Sequence, residues 1–348
     1  MNLDTLCEDV LYEIFRLCDP QSIANLLCVS RNISRITKEE RLWKDLLCSV
    51  IEGDSDGHSD QNDYFKLLSC NTYYYTMKKY CELRKLKIKF NMNESVIDIY
   101  NITKLNLSKR QLTTLPSELG HLSSLEQLIL DNNELVTLPS DSKPVESEGP
   151  HWELGNLSSL EYLYLRNNQL VTLPSELGHL SSLEQLILGN NKLVTLPSEL
   201  GHLSSLVRLD LNNNKLVTLP SELGHLSSLV DLYLQYNQLV TLPPELGNLS
   251  RLKYLDLYNN KLVALPSELG NLRSLKELHL NNNKLVTLPP ELGHLSSLEY
   301  LYLENNKLVT LPSELGNLSS LKVLRLDNNE LVTLPPELDN LSNLHIYK

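Results

Sequence analysis

The sequence predicts an α/β protein, in which a solenoid of about ten repeats with one parallel sheet follows a small all-α module. A phrase typified by LSSLEQLILGNNKLVTLPSELGH recurs every 23 residues from Leu180. Ten Leu-Pro pairs, from Leu115-Pro116 to Leu334-Pro335, mark the repeats. The first 47 residues carry apolar side chains at helical spacing instead. With 348 residues, the chain is too long for one ordinary core, which favours such an array.

Composition narrows the function classes. A formal net charge of -12 argues against nucleic acid as the main partner, because phosphate binding needs a basic surface. The sequence shows neither the long apolar run of a membrane span nor a signal peptide, so we expect an intracellular, cytoplasmic protein, with the nucleus as an alternative. The six cysteines are widely spaced and are expected to be reduced. We expect no membrane partner, cofactor or metal, and we attribute the recurring LGHL histidines to repeat copying.

Each repeat reads as a strand, a turn and a return segment. In LxLxxN, leucines two residues apart point to one side of a short strand, and the Asn can satisfy backbone groups where the chain leaves the sheet. The following Leu-Pro ends strand pairing, and SELG favours a short helical turn that ends at Gly. One unit cannot bury its leucines alone, so stacking of neighbouring units is required.

These repeats, over residues 99–348, resemble the leucine-rich repeat family in its LP-type intracellular subclass. The resemblance implies a curved solenoid with its parallel sheet on the concave face. The period is interrupted by extra residues at about 141–152, which predict a protruding loop or, alternatively, a docking site that uses Trp152. A half unit with Leu341 and Leu344 closes the array.

Recognition residues are expected where the repeats differ. The two positions that flank the central strand leucine vary from unit to unit, and half of the 16 tyrosines lie there or just beyond. Tyrosine suits protein interfaces, although aromatic residues also fill exposed strand positions because they favour sheets. The predicted target-binding residues on the concave face are Tyr162, Tyr164, Arg208, Tyr233, Tyr236, Tyr254, Tyr258, His279, Tyr300, Tyr302 and Arg325.

The amino-terminal module, residues 1–47, predicts three short helices. LDTLCEDVLYEIFRLC, SIANLLCVSRNISRI and EERLWKDLL follow one another, and Asp19-Pro20 separates the first two. These residues resemble an F-box in order and spacing. The resemblance implies that an apolar face docks on a Skp-type linker protein, and the residues carried over by position are Leu6, Leu11, Ile14, Phe15, Val29 and Trp43.

The combination of the two resemblances implies a non-enzymatic substrate adaptor of an SCF-type cullin–RING ubiquitin ligase. The F-box would bind the Skp linker and cullin complex, and the concave face would bind a target protein. A leucine-rich repeat scaffold without a ligase role is the alternative. Residues 48–98 read as an acidic loop followed by a helical linker that caps the array.

Overall fold

The computed structural model describes residues 83–93, 96–139 and 154–348. Within it, the chain forms two compact units. One ends at Ile102 and includes His121–Ser123, and the other comprises Thr103–Gly120 and Ser124–Lys348. The predicted F-box helices, the acidic loop and the insertion at 141–152 lie outside the described residues, and the boundaries at 47 and 98 stay predictions.

The described part of the first unit is helical. Residues 83–90 form a helix in which Leu83, Leu86 and Phe90 are buried, and this spacing places them on one face. A second α-helix, Val96–Tyr100, buries Val96 and Tyr100. Both helices therefore show the amphipathic pattern of a packed segment.

The second unit contains one sheet of eleven parallel strands in sequential order. The strands are β1 Lys104–Asn106, β2 Gln127–Ile129, β3 Tyr162–Tyr164, β4 Gln185–Ile187, β5 Arg208–Asp210, β6 Asp231–Tyr233, β7 Tyr254–Asp256, β8 Glu277–His279, β9 Tyr300–Tyr302, β10 Val323–Arg325 and β11 His345–Tyr347. The register pairs equivalent residues of adjacent units, as in Leu186 with Leu209. The half unit also contributes a strand, so the sheet has one strand more than the ten complete repeats.

Strand leucines build the core. The central leucine of β1–β10 is buried, and so is the leucine two residues further on, for example Leu186 and Leu188. The flanking residues of each strand point to the opposite side and are mostly partly exposed, as in the intermediate–buried–intermediate pattern of β5. This alternation follows from the two-residue period of a strand. The predicted solenoid fold is confirmed.

The repeated Asn closes each turn as predicted. In one repeat, the Nδ2 of Asn260 donates to the carbonyl oxygens of Leu234 at 3.0 Å and Leu257 at 3.1 Å. Its Oδ1 accepts from the backbone N–H of Leu239 at 3.0 Å. Asn260 itself is buried, and it satisfies backbone groups of two adjacent units that would otherwise be buried without partners.

The return arm is a 3-10 helix in every unit with described residues. Pro243, in extended backbone at φ -68°, precedes the helix Pro244–Asn248, and Leu246 and Gly247 within it are buried. A Cβ at Gly247 would overlap the backbone carbonyl of Glu268 in the next unit. Glycine therefore permits the close stacking of successive return arms.

Within the described ranges, no helix has the length and apolar content needed to cross a bilayer.

Candidate protein-binding face

The strand face of the sheet presents three rows of variable side chains. The first two rows are the first and third residues of each strand, and the third row is the residue two positions after the strand, such as Asn212 after Asp210. Because the strands are in register, residues of one row succeed each other across neighbouring strands. Differences between repeats therefore line up as a continuous surface.

Aromatic rings form an uninterrupted series of contacts across β6–β9. The ring centroids of Tyr233 and Tyr254 lie 5.0 Å apart, and those of Tyr254 and His279 lie 5.2 Å apart. His279 then stacks on Tyr302 at 4.3 Å and 30°. The guanidinium of Arg325 lies 5.9 Å from the Tyr302 ring centroid. Such contacts favour the observed ring orientations, so the rings are preorganised for a partner.

Tyr347 extends this series into the half unit. The Arg325 guanidinium lies 4.9 Å from the Tyr347 ring centroid, which is closer than its distance to Tyr302. Tyr347 is not among the predicted site residues, because the half unit lacks the Leu-Pro signal of a full repeat. Its position in HIY, aligned with the strand triplets, was the available signal.

A second aromatic pair lies in the turns after β6 and β7. Tyr236 and Tyr258 meet edge to face, with ring centroids 5.0 Å apart. Tyr236 has a left-handed backbone at φ 57°, where eight other repeats have Asn. Asn tolerates this conformation better than a bulky side chain does. Retaining Tyr here costs backbone energy, and such local strain is concentrated at functional sites.

Tyr162 and Tyr164 lie apart from the aromatic residues of β6–β9. The Tyr162 hydroxyl donates to Oε2 of Glu184 at 3.2 Å, and the Tyr164 hydroxyl donates to Oε1 of Gln185 at 3.3 Å. Strand β4, which follows, has Gln185 and Ile187 at its face positions, so the aromatic row is interrupted there. The structure thus places the predicted residues in two groups, and the larger group extends from Arg208 on β5 to Arg325 on β10.

Acidic residues lie among the rings of the larger group. Asp256 is only 8% exposed, and its Oδ1 accepts from the backbone N–H of Tyr258 at 3.0 Å. The Tyr254 hydroxyl donates to Oδ2 of Asp256 at 3.5 Å. Arg208 donates from Nε at 3.1 Å and from Nη2 at 2.8 Å to a single oxygen, Oδ2 of Asp231. Asp231 and Asp256 occupy flanking strand positions but are not among the predicted target-binding residues.

Burial governs the protonation of this group. Burial raises the pKa of Asp256, and the N–H of Tyr258 opposes that shift. Burial, followed by the charge of Asp256, raises the pKa of Tyr254 well above its usual value. The Tyr254 hydroxyl therefore stays protonated at neutral pH and can donate a hydrogen bond.

The edge of the sheet next to β8–β10 carries a separate ion-pair bridge. Glu299 lies between two lysines, at 3.3 Å from Lys276 and also in contact with Lys322. Hydrogen bonds from Lys322 and then Lys276 lower the pKa of the Glu299 carboxyl. Since these side chains are exposed or partly exposed, the bridge adds little stability.

Among the residues with described positions, no three His, Cys, Asp or Glu side chains converge as metal ligands would. The LGHL histidines, such as His202 and His225, occupy the last position of the 3-10 helices.

The fold defines a solenoid of leucine-rich repeats, and this surface is its candidate protein-binding face. Family models agree with that class. A leucine-rich repeat region matches residues 145–241 and 240–347, and an F-box domain matches residues 3–45. The chain belongs to the leucine-rich repeat family and carries an F-box domain before its repeats, which confirms the sequence prediction. Both parts are interaction modules.

Solved structures agree on the repeat fold. The ectodomain of the Arabidopsis thaliana receptor kinase GASSHO1/SCHENGEN3, in complex with CASPARIAN STRIP INTEGRITY FACTOR 2, is 36% identical, with a TM-score of 0.60. The match covers 71% of this chain and 30% of that ectodomain. The Arabidopsis receptor kinase HAESA, with the peptide hormone IDA and the co-receptor SERK1, is 28% identical over 77% of this chain and 48% of that one, with a TM-score of 0.59.

A TDR receptor is 30% identical to the chain, with a TM-score of 0.57. The match covers 72% of this chain and 47% of the receptor. No curated protein matches the chain.

Proposed function

We propose that this protein is the substrate-recruiting adaptor of an SCF-type ubiquitin ligase. The observation that carries the proposal is the order of its modules, an F-box at residues 3–45 followed by a leucine-rich array. The F-box docks on a Skp-type linker protein, which connects it to the cullin. The apolar residues Leu6, Leu11, Ile14, Phe15, Val29 and Trp43 form or support the docking face.

The target protein binds on the strand face. Rigid tyrosines that already contact one another lose little conformational freedom on binding, and tyrosine is frequent among the residues that dominate interface energies. The scaffold leucines are nearly the same in each unit, so the variable face residues are the ones able to select a partner. The face residues of β5–β10 form the main contact, and Tyr162 with Tyr164 forms a second one.

The adaptor acts by proximity and carries out no reaction itself. Holding a target beside a charged conjugating enzyme reduces the entropic cost of their encounter. The proposal places the protein in the cytoplasm or nucleus, where this machinery operates, and assigns it no cofactor, nucleic acid or membrane partner.

A ligand-binding scaffold without a ligase role is the second candidate. It is supported by the similar structures of the GASSHO1/SCHENGEN3 ectodomain and of HAESA, which were solved in complex with CASPARIAN STRIP INTEGRITY FACTOR 2 and with the peptide hormone IDA. This chain spans less than half the length of either protein in those structures, so the proposal takes from them only the mode of ligand binding. The two candidates differ in one property, the capacity to bind a Skp-type linker.

Co-purification of the full chain with a Skp-type linker and a cullin tests the proposal. The natural chain is expected to form a stoichiometric complex. A variant with Ile14→Glu and Phe15→Glu should lose the linker, because charges on an apolar docking face carry a large desolvation penalty. The matched control, Tyr300→Ala with Tyr302→Ala, changes the strand face alone and should keep the linker.

The outcomes separate the two candidates. Linker binding that the F-box variant loses and the strand-face variant keeps supports the adaptor. If a folded natural chain forms no complex, or if the F-box variant binds the linker as well as the natural chain does, the scaffold function is the correct one.

A further inference from the structure

We infer that the target segment held on the strand face is basic, with an Arg or Lys side chain seated among Tyr233, Tyr254 and Asp256. The inference rests on the proposed function, because it specifies the chemistry of the partner of the same face. It concerns the acidic tyrosine patch, defined as the three rows of face residues on β5–β9.

The charge of the acidic tyrosine patch is strongly one-sided. It contains five carboxylates and a single guanidinium, that of Arg208. The carboxylates belong to Asp210, Asp231, Asp256, Glu277 and Glu304. A basic segment would complement this charge, whereas an acidic or phosphorylated segment would meet repulsion from several directions.

Most of this negative charge is not neutralised within the described part of the protein. Arg208 pairs with Asp231, and Glu277 lies 3.4 Å from the imidazole of His279. No ion pair with described residues involves Asp210, Asp256 or Glu304. These three carboxylates are therefore left to attract a cation from a partner.

The surroundings of Asp256 suit a cationic side chain. Its Oδ1 and Oδ2 accept hydrogen bonds only from neutral groups, the Tyr258 N–H and the Tyr254 hydroxyl. The adjacent rings of Tyr233 and Tyr254 are tilted by 38° with centroids 5.0 Å apart. Ring faces attract cations by their quadrupoles, and the attraction is stronger where water is excluded. A carboxylate beside two rings therefore favours Arg or Lys over a neutral side chain.

Hydrogen-bonding capacity points the same way. Three buried side-chain atoms in the third row have no hydrogen-bond partner among the described residues, and each is an acceptor. They are Oε1 of Gln235, Oδ1 of Asn281 and Oε2 of Glu304. Arg and Lys side chains carry donors and no acceptors. A side chain that reached this row would satisfy acceptors that are otherwise costly to bury.

Selection from a displayed library of random dodecapeptides by the full chain tests the inference. The enriched peptides should carry net positive charge. Their affinity, measured by fluorescence anisotropy, should fall at least about tenfold in the variant Asp210→Asn with Asp256→Asn. The matched control is Glu245→Gln with Glu268→Gln, which removes the same charge from the 3-10 helices and should bind the peptides as the natural chain does.

The control variant separates a local site from general attraction to an acidic protein. Equal weakening in both variants, enrichment of neutral or acidic peptides, or no enrichment by the natural chain would overturn the inference. These results are independent of linker binding. A chain that binds the linker but selects no basic peptide keeps its adaptor role and loses the inference, and the reverse result refutes the adaptor alone.

Discussion

Replacement of Tyr236 by Asn should reduce partner binding without reducing the stability of the array. The left-handed backbone at Tyr236 disfavours a bulky side chain by about 1–2 kcal/mol, whereas Asn adopts it routinely. The edge-to-face contact of Tyr236 with Tyr258 stabilises the fold by about 0.5–1.5 kcal/mol, and Tyr236→Asn removes this contact. These two effects nearly cancel, so the unfolding free energy should change by less than about 1 kcal/mol.

The reverse exchange one repeat earlier is the matched control. Asn213 has the equivalent backbone at φ 51°. The residue that corresponds to Tyr258 in that repeat is Gln235, which offers no ring. Asn213→Tyr should therefore carry the backbone cost of about 1–2 kcal/mol without a ring at position 235 to contact, and it also loses the hydrogen bond from Asn213 Nδ2 to Asn190 Oδ1.

Urea unfolding followed by circular dichroism, together with peptide titration, checks both substitutions. The unfolding midpoint should fall for Asn213→Tyr and stay within error for Tyr236→Asn. Binding of strand-face peptides should weaken about 30-fold for Tyr236→Asn, since a tyrosine that acts as an interface hot spot contributes about 2 kcal/mol. If Tyr236→Asn lowers the midpoint as far as Asn213→Tyr and leaves binding intact, Tyr236 is a structural residue and our reasoning is wrong.

Three further predictions concern the scaffold and its buried charge. Asn260→Ala should lower the free energy of unfolding by about 3–5 kcal/mol, because backbone groups of two units lose their buried hydrogen-bond partners. The exposed substitution Asn248→His should leave the melting temperature unchanged. Gly247→Ala should lower the melting temperature, because its Cβ overlaps a backbone carbonyl; Gly189→Ala, which meets only the side chain of Asn212, should not. Asp256→Asn should stabilise the fold at pH 7. Burial raises the folded-state pKa of Asp256 above 3.8. Ionised Asp256 therefore destabilises the fold at pH values above that raised pKa. Below about pH 3.8 the carboxyl is protonated in both the folded and the unfolded state, and the destabilisation is absent. Thermal melts of Asp256→Asn and the natural chain at pH 7 and below about pH 3.8 should show that the stabilisation is lost in acid. An equal increase in melting temperature at both pH values would refute this account.

The periodic residues allowed the scaffold to be predicted in detail. The leucines that lie two residues apart predicted each short strand, such as Arg208–Asp210, because side chains of a strand alternate with a period of two residues. The repeated Asn predicted the turn in which its side chain satisfies backbone groups. The strand at His345–Tyr347 was not expected, since the half unit has no Leu-Pro pair, yet its backbone can still pair with β10.

The candidate site was only partly predictable. Sequence placed the tyrosines on one face, but which rings touch depends on side-chain rotamers across strands, as in the His279 stack on Tyr302. The left-handed backbone at Tyr236 could have been anticipated, because Tyr replaces the Asn found there in eight other repeats. The burial of Asp256 could not, since its strand position is partly exposed in most repeats. The six F-box residues remain sequence predictions.

The uniform register of the sheet has an evolutionary consequence. Among the described residues, each unit hydrogen-bonds only with the unit before and the unit after it, with equivalent residues facing each other. Duplication or loss of a whole unit therefore preserves every remaining junction, while three surface positions are gained or lost. A lineage with this gene could acquire a new partner by unequal recombination between near-identical units, well before any point mutation altered the recognition residues.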